Sequence, residues 1–308
     1  MKEITIICNP AAGSGKAQKK WNNFQSELES SGVNYRVFFT AKPQHATKLT
    51  LSAIENGSKR IVSFGGDGTL NEIIQGILIN KLYPSNEIEL VVLGAGSSND
   101  FEKIFPKKQW IEKINSLQTR FIDLIKLNYL DFNGANSSHY CINNSSIGII
   151  SDAGDRFNKL GGLFKLIKKV SVDAAALIAG IQTIASFKPI TVNITVGGNI
   201  KTMTSLSNIT FYKNPYVAGG MYYNKSVKKD DGKFSVAIVE SNSRLPLFRL
   251  IPSLYKGTAL DKEGVSYMEC ESIELTTERS LIIETDGEII GKPPVKYSII
   301  NKGIKVVV

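Results

Sequence analysis

Three glycine-rich turns carry the strongest chemical signal in this sequence. They are residues 9–16 (NPAAGSGK), 65–72 (GGDGTLNE) and 94–100 (GAGSSND), and each follows a short apolar run typical of a β-strand. Backbone N–H groups in such turns can bind phosphate, and a following helix adds the attraction of its dipole. Because the carboxyl ends of parallel strands lie along one edge of a sheet, we expect the three turns to converge on one crevice.

The side chains of these turns narrow the chemistry. Pro10 stands five residues before Gly15, and Ala17 stands where a P-loop needs Ser or Thr, so the first turn is not a Walker A motif. Asp67 could hold Mg²⁺ or position a hydroxyl group. In the same turn, Thr69 could cap a helix or bind phosphate.

A pair of carboxylates lies near the end of the sequence, at Asp286 and Glu288, with Gly287 between them. Phosphoryl transfer needs little covalent chemistry from a protein, but a carboxylate can orient the attacking hydroxyl and accept its proton. We expect Asp286 to be that base, with Glu288 as the alternative. A plain turn without a catalytic role is the competing interpretation.

The elements that position these motifs differ between the two halves of the chain. Up to about residue 125, predicted strands (4–8, 35–39, 60–64, 89–93) alternate with predicted helices (18–30, 44–55, 70–80), which indicates an α/β domain with a mostly parallel layered sheet. Beyond that point most predicted elements are strands (190–196, 207–212, 234–239, 272–276, 281–284), interrupted by a helical segment at 163–187. The sequence therefore predicts two domains, at 1–125 and 126–295, with a cleft between them.

Composition excludes several classes of protein. With 308 residues, 42% hydrophobic and 21% charged, the chain is neither disordered nor fibrous. The net charge of +9 favours anionic partners, but the basic residues are scattered and form no nucleic-acid-binding pattern, so we expect no nucleic-acid partner. Three separated cysteines suit a reducing compartment, and no apolar run reaches 18 residues. We expect a cytoplasmic protein with at most peripheral membrane contact.

Five segments in this order resemble the diacylglycerol kinase catalytic family, especially its soluble bacterial-type lipid kinases. They are NPxxG at 9–13, GGDGTLNE at 65–72, GSSND at 96–100, IDL at 122–124 and TDGE at 285–288. GGDGT alone also occurs in NAD kinases. The resemblance implies a nucleotide-binding α/β domain, a β-sandwich-like second domain, and a last strand within 296–308 that returns to the first domain.

The resemblance also implies which residues bind ATP and metal. The implied ATP ligands are Asn9, Pro10, Gly13, Thr40, Gly65, Gly66, Asp67, Gly68, Thr69, Asn71, Ser97, Asn99 and Asp100. Ser97 stands where the family usually has Thr, but it keeps the hydroxyl. Asp67 and Asp100 are expected to organise a catalytic Mg²⁺.

A loop at 228–233 resembles one that holds a structural Mg²⁺ in similar bacterial enzymes. The ligands would be the Asp231 side chain and the main-chain carbonyls of Lys228 and Lys233. A plain Asp-Gly β-turn is the alternative. A separate segment, 157–169, interleaves apolar residues with lysines, which suits either an interfacial helix or an amphipathic core helix.

The sequence thus predicts an ATP- and Mg²⁺-dependent kinase that phosphorylates the hydroxyl of a diacylglycerol-like lipid at an anionic membrane surface. The alternatives are an NAD kinase-like phosphotransferase and a nucleotide- or lipid-binding regulator without turnover. The acceptor stays open among diacylglycerol, a sphingoid base, a polyprenol and phosphatidylglycerol. Sheet edges in a β-rich second domain would allow a homodimer.

Overall fold

A computed structural model describes residues 3–159, 172–217, 220–225 and 227–308. Its α-helices are α1 Lys16–Ser31, α2 His45–Glu55, α3 Asp67–Ile79, α4 Trp110–Asn115, α5 Ile149–Lys159, α6 Val172–Ser186 and α7 Arg244–Lys256. Its strands are β1 Ile4–Cys8, β2 Tyr35–Phe39, β3 Arg60–Gly65, β4 Glu89–Gly94, β5 Thr119–Leu130, β6 Asn136–Cys141, β7 Asn144–Gly148, β8 Ile190–Val196, β9 Asn199–Tyr212, β10 Tyr216–Val217, β11 Met221–Tyr222, β12 Phe234–Glu240, β13 Val265–Cys270, β14 Ser272–Thr276, β15 Ile283–Thr285 and β16 Glu288–Val307.

The first half of the chain forms parallel strands in the order β2-β1-β3-β4. Every residue of β1 is buried, as expected for a parallel strand covered on both faces. Because side chains alternate across a strand, Ile6 and Ile7 enter separate cores on opposite faces of the sheet. This two-sided cover leaves the carboxyl edge of the sheet, where the glycine-rich turns begin, as the open side.

The second half is antiparallel and closes on itself. Successive pairings run β9-β7-β15-β16-β14-β8 and back to β9, while β12 and β13 extend the sheet from β9. The long strands β9 and β16 each pair with different neighbours along their length, which produces the corners of a sandwich-like fold. Its core includes Phe211 stacked on Tyr297, with ring centroids 3.7 Å apart.

Strand β16 connects the two halves. Near its start it pairs with β15 and β14, and further along it pairs with β5 for most of its length. Lys305 and Val306 then pair in parallel with Glu89 and Leu90 of β4. Asp286, Gly287 and Glu288 form the acidic turn at the start of β16. Since β16 pairs with both halves, this turn is held at a fixed position relative to the glycine-rich turns.

Two sequence interpretations fall partly outside the described residues. Most of the lysine-rich segment, 160–169, lies there, and so does the first part of the helical segment predicted at 163–187. The described part of that prediction is α6, Val172–Ser186. Among the described residues, no helix combines the length and the hydrophobicity needed to cross a bilayer.

The aromatic cluster behind the first glycine-rich turn gives a stability test. The ring of Phe64 lies 5.3 Å from that of Trp21, 5.9 Å from Phe24 and 5.0 Å from Trp110, and it is fully buried. We expect Phe64→Ala to lower the free energy of unfolding by about 3–5 kcal/mol in urea denaturation. Leu117→Ala, at a side chain 88% exposed, is the control and should change it by less than about 0.5 kcal/mol. Equal effects would contradict this packing.

Candidate active site

The three glycine-rich turns meet at the carboxyl edge of the parallel sheet. The second and third turns touch through their backbones, because a Cβ atom on Gly96 would overlap the Cα of Gly66. A Cβ on Gly13 would lie 3.2 Å from the carbonyl oxygen of Ala95. Gly13 also has a φ of 60°, in the left-handed region that favours glycine. The convergence expected from the strand order is therefore present, and it depends on glycine at these contacts.

Several polar side chains predicted to bind ATP form hydrogen bonds within and between the turns. Asn9 donates from Nδ2 to Thr69 Oγ1 (2.9 Å), and its Oδ1 accepts from the Ala11 N–H (3.1 Å). Asn99 Oδ1 accepts from the Gly96 N–H at 3.0 Å within the third turn. These hydrogen bonds shape the crevice, and Asn9, Thr69 and Ser97 line the cavity there.

Asp67 links the second turn to the third. Its Oδ2 accepts from the Asp100 N–H (2.9 Å), and its Oδ1 accepts from the Phe101 N–H (3.1 Å). Burial raises the pKa of Asp67, although these hydrogen bonds oppose the rise. Asp100 forms an ion pair with Lys103 at 2.6 Å. Both carboxylates also line the cavity at this edge of the sheet.

Asp286 sits where both halves of the molecule meet. Its Oδ2 accepts from Asn71 Nδ2 (2.7 Å) and the Ile142 N–H (2.9 Å), and its Oδ1 accepts from the N–H groups of Asn143 (2.9 Å) and Asn144 (3.3 Å). Burial raises the pKa of Asp286 to about 6 even though these bonds favour the charged form. With the Cys141 thiol at 3.9 Å from Oδ1 as a further donor, the lone pairs of both oxygens are occupied. This arrangement differs from the expectation of Asp286 as the base.

Asn71 also differs from its expected role as an ATP ligand. Its Nδ2 bonds Asp286, and it lies within 3.3 Å of the Tyr140 carbonyl oxygen, while its Oδ1 accepts from Gln75 Nε2 at 3.1 Å. Only 4% of the residue is exposed. Asn71 thus ties α3 to the acidic turn and positions Asp286.

Two other carboxylates flank Asp286. Glu288 is exposed, and its carboxylate accepts no hydrogen bond from the described part of the chain; partial burial and the charge of Glu72 raise its pKa. Glu284 is buried, and its Oε1 accepts from the Gly287 N–H at 2.6 Å, while its Oε2 has no hydrogen-bond partner among the described residues. Burial raises the pKa of Glu284 to about 8, so this side chain is mostly protonated at neutral pH.

A cavity of about 650 Å³ connects these groups. Its polar end is lined by the glycine-rich turns, including Gly13, Gly68 and Ser97, and its middle by Glu284 and Asp286. Its other end is lined by apolar side chains of the second half, including Ile149, Ile150, Ala153, Ala176, Ile184, Val239, Leu247, Leu250, Ile251, Leu254 and Val265. The predicted ATP-binding and catalytic residues that are not among the described residues lining it are Pro10, Thr40, Gly65, Asn71, Asn99 and Glu288.

Asparagines that sequence reasoning missed complete the centre of the site. Asn214 donates from Nδ2 to the Asp100 carbonyl oxygen (2.9 Å) and to Asn143 Oδ1 (2.7 Å). Asn143 and Asn144 line the cavity and bond Asp286. The available signal was the polar run 143–146 directly before the apolar residues of β7, which is buried throughout. Buried polar groups of this kind require partners and mark a network.

The loop predicted to hold a structural metal contains a different cation. Asp231 Oδ1 and the carbonyl oxygens of Lys228 and Lys233 all accept hydrogen bonds from the Lys213 ammonium group. The three expected ligands are thus brought together, but a side chain occupies the place between them. They do not fit Mg²⁺ in this arrangement, because a lysine ammonium and a divalent cation would repel each other at such short range.

The buried carboxyl of Glu284 gives a test by pH. Its pKa is raised from 4.5 to about 8, so its neutral form favours the folded state. The stability that this group contributes is fully present below pH 4.5 and is lost as the pH rises through about 8. We expect the free energy of unfolding of the wild-type protein, minus that of Glu284→Gln, to fall over this range in denaturant titrations. Glu271→Gln, at an exposed glutamate, is the control. A difference independent of pH would contradict this burial.

Comparisons with known proteins agree with this architecture. The family model described as the diacylglycerol kinase catalytic domain matches residues 3–127, and that described as the YegS C-terminal NAD kinase beta sandwich-like domain matches residues 165–308. The chain is 28% identical, over 97% of both chains, to a Bacillus subtilis protein named "Putative lipid kinase YtlR". It is 25% identical to a Staphylococcus epidermidis protein named diacylglycerol kinase, over 99% of this chain and 92% of the other.

A solved structure has the same fold. It is the crystal structure of a Bacillus anthracis protein described as "a putative diacylglycerol kinase", with a TM-score of 0.76 and 21% identity. The comparison covers 99% of this chain and 94% of that one. The two family models together span both halves of the fold described above. From the glycine-rich turns to the antiparallel second half, the chain thus matches a diacylglycerol kinase catalytic domain followed by a YegS C-terminal NAD kinase beta sandwich-like domain.

Proposed function

We propose that this protein transfers the γ-phosphoryl group of ATP to the hydroxyl of a diacylglycerol-like lipid. One observation carries the proposal: a single cavity is lined by the glycine-rich turns, by the acidic turn and by apolar side chains of the second half. A lipid acceptor has this same order of chemistry, since its hydroxyl lies at the polar end of long hydrocarbon chains. The relatives named as a putative lipid kinase and as a diacylglycerol kinase support the same activity.

The polar end suits the triphosphate of a nucleotide. The N–H groups of the turn around Gly13 and of the first turn of α3 lie at this end, where anions are stabilised by exposed amides and by the helix dipole. Asp67 supplies a carboxylate of the kind that Mg²⁺ needs when it keeps water and phosphate oxygens as its other ligands, whereas Asp100 is ion-paired with Lys103. When bound, that ion would neutralise charge on the phosphates during transfer.

The apolar end suits acyl chains. Helices α5, α6 and α7 contribute aliphatic side chains to the cavity wall, and burial of each CH₂ group there contributes about 0.8 kcal/mol to binding. A second nucleotide, as in an NAD acceptor, would instead leave its hydroxyl and amide groups without partners against this wall. The shape and chemistry of the cavity therefore favour a lipid over NAD.

We assign proton removal from the acceptor hydroxyl to Glu288. Of the two carboxylates in the acidic turn, it is the one whose oxygens accept no hydrogen bond from the described residues, and it directly follows Gly287, which lines the cavity. Asp286 has both oxygens occupied and acts as a positioning residue, holding the Asn143 and Asn144 N–H groups against the cavity.

The two carboxylates should respond differently to substitution. Glu288→Gln should lower kcat by about 10²–10⁴ with the KM for ATP and the urea midpoint unchanged, because the side chain is exposed. Asp286→Asn should lower the free energy of unfolding by about 1–3 kcal/mol as well, because an amide N–H would face backbone donors. Full turnover of Glu288→Gln would refute the assignment of the base.

The acceptor cavity can be shortened at Gly180, in α6. Gly180 lines the cavity, and apart from its chain neighbours and the nearby backbone of α6, no described atom lies within 4 Å of the position that its Cβ would take. Gly180→Leu should lower kcat/KM for a long-chain diacylglycerol by about tenfold or more, with the KM for ATP unchanged. Gly180→Ala is the matched control, since it adds one carbon and favours the helix. An equal response of both variants would argue against an acyl site here.

The decisive experiment measures transfer of labelled γ-phosphate from ATP. Diacylglycerol and the other candidate lipids are presented in mixed anionic micelles, and NAD serves as the soluble acceptor. Label in the organic phase supports the proposal and identifies the acceptor. Label on NAD, or ATP binding without any labelled product, would overturn it.

A further inference from the structure

The side chain of Lys213, at the end of β9, is enclosed by oxygen atoms. Its Nζ lies 2.6 Å from the Lys233 carbonyl oxygen, 2.7 Å from the Lys228 carbonyl oxygen, 3.1 Å from Asp231 Oδ1 and 3.3 Å from Asp123 Oδ2. The side chain of Lys213 is 2% exposed, and that of Asp123 is 0% exposed. Two carbonyls and two carboxylates around one point form a donor set of the kind that hard cations bind.

The distances fit an ammonium group better than a metal ion. Mg²⁺ binds oxygen at about 2.0–2.1 Å and Ca²⁺ at about 2.3–2.6 Å, whereas the four Nζ to O distances here run from 2.6 to 3.3 Å. A divalent ion inserted beside Lys213 would bring three positive charges against the two carboxylates. The ammonium and a metal ion therefore exclude each other from this position.

The cluster joins segments that are far apart in the sequence. Besides Lys213, Asp123 of β5 accepts from the N–H groups of Gly232 (2.8 Å) and Lys302 (2.8 Å), and its own N–H donates to the Lys229 carbonyl oxygen. The backbone N–H of Lys213 donates to the Asn143 carbonyl oxygen at 3.0 Å, next to the Asp286 network. A cation at this point thus holds β5, the 228–233 loop and a turn in β16 together.

We propose that the ammonium group of Lys213 is a built-in substitute for a divalent cation, so that the 228–233 loop of this chain is organised by a lysine and does not depend on a metal ion. This differs from the structural Mg²⁺ that the loop's resemblance to similar enzymes implies. The inference concerns the architecture of the loop, and it does not rest on the proposed lipid kinase activity.

If the Lys213 ammonium takes the place of a divalent ion, an added ion should restore the stability that is lost when the lysine is removed. Lys213→Ala leaves Asp123 and Asp231 without their cation but opens space for an ion with the same oxygen ligands. Its midpoint of thermal unfolding should fall by about 5–10 °C in EDTA. Most of this loss should return with about 10 mM MgCl₂ or CaCl₂, because an ion that binds only the folded state stabilises it. The control is Lys296→Ala, a variant that breaks an exposed ion pair. Adding either ion should raise the midpoint of the wild-type protein by no more than it raises the midpoint of this control.

Lys213→Met is the matched variant, since it removes the charge but fills the space. It should be destabilised in EDTA and should not be rescued by either ion. A second readout is titration of Mn²⁺ followed by electron paramagnetic resonance, in which Lys213→Ala should bind one more ion than the wild-type protein. The double variant Lys213→Ala/Asp231→Asn should lose that ion.

The wild-type protein alone can refute the proposal, even if the lysine variants fail to fold. The test is the rise in its unfolding midpoint on adding Mg²⁺ after EDTA treatment, compared with the rise in Asp231→Asn. A larger rise in the wild-type protein would place a metal ion in this loop and overturn the inference. Equal rises, including none, support it. The inference would also be overturned if Lys213→Ala folds but neither Mg²⁺ nor Ca²⁺ raises its unfolding midpoint.

Discussion

The half-buried carboxylate of Asp286 holds both halves of the site together. It accepts hydrogen bonds from α3 through Asn71 and from three consecutive backbone N–H groups at 142–144, which belong to the other half of the molecule. Hydrogen bonds to a charged group in a low-dielectric setting are strong, and leaving any of these donors unpaired would be costly. The position of the glycine-rich turns relative to the apolar end of the cavity therefore depends on this one side chain.

A buried ion pair, between Lys213 and Asp123, connects distant segments in the same way. Lys213 and Asp123 form an ion pair with almost no exposure, and each also bonds backbone groups from distant segments. Asn214 follows Lys213 directly and bonds both Asn143 and the backbone of Asp100, so this ion pair and Asp286 are separated by a short run of hydrogen bonds. Specificity of arrangement, more than net stability, is what buried charge pairs can supply.

Much of the fold could be predicted because it follows from local periodicity. The bounds of β2, β8 and β14 equal those predicted, and α2 begins one residue later than predicted. Hydrophobic alternation is a strong signal in such short, well-bounded strands. The family resemblance is confirmed by the models that match both halves, whereas the exact domain bounds stay a prediction.

The roles of individual side chains were harder to predict because they depend on contacts between distant residues. Asn71 and Asp286 are 215 positions apart, and nothing local shows that their side chains bond each other. The family resemblance implied a cation at the 228–233 loop, but Lys213 reaches this loop from the end of a buried strand, where a lysine has no local signature. Glu284 was missed because a glutamate at the end of a strand resembles an ordinary solvated residue.

The course of β16 also has a consequence for how the chain folds during synthesis. Glu89 and Lys305, which lie side by side in the sheet, are separated by 216 positions. The exposed edge of β4 therefore waits for more than 200 further residues to leave the ribosome before it is paired. Contacts of such long range make folding slow and leave strand edges open to wrong pairing in the interim. The acidic turn at the start of β16 reaches its place only in this late step. A nascent chain therefore contains the glycine-rich turns long before the site is complete.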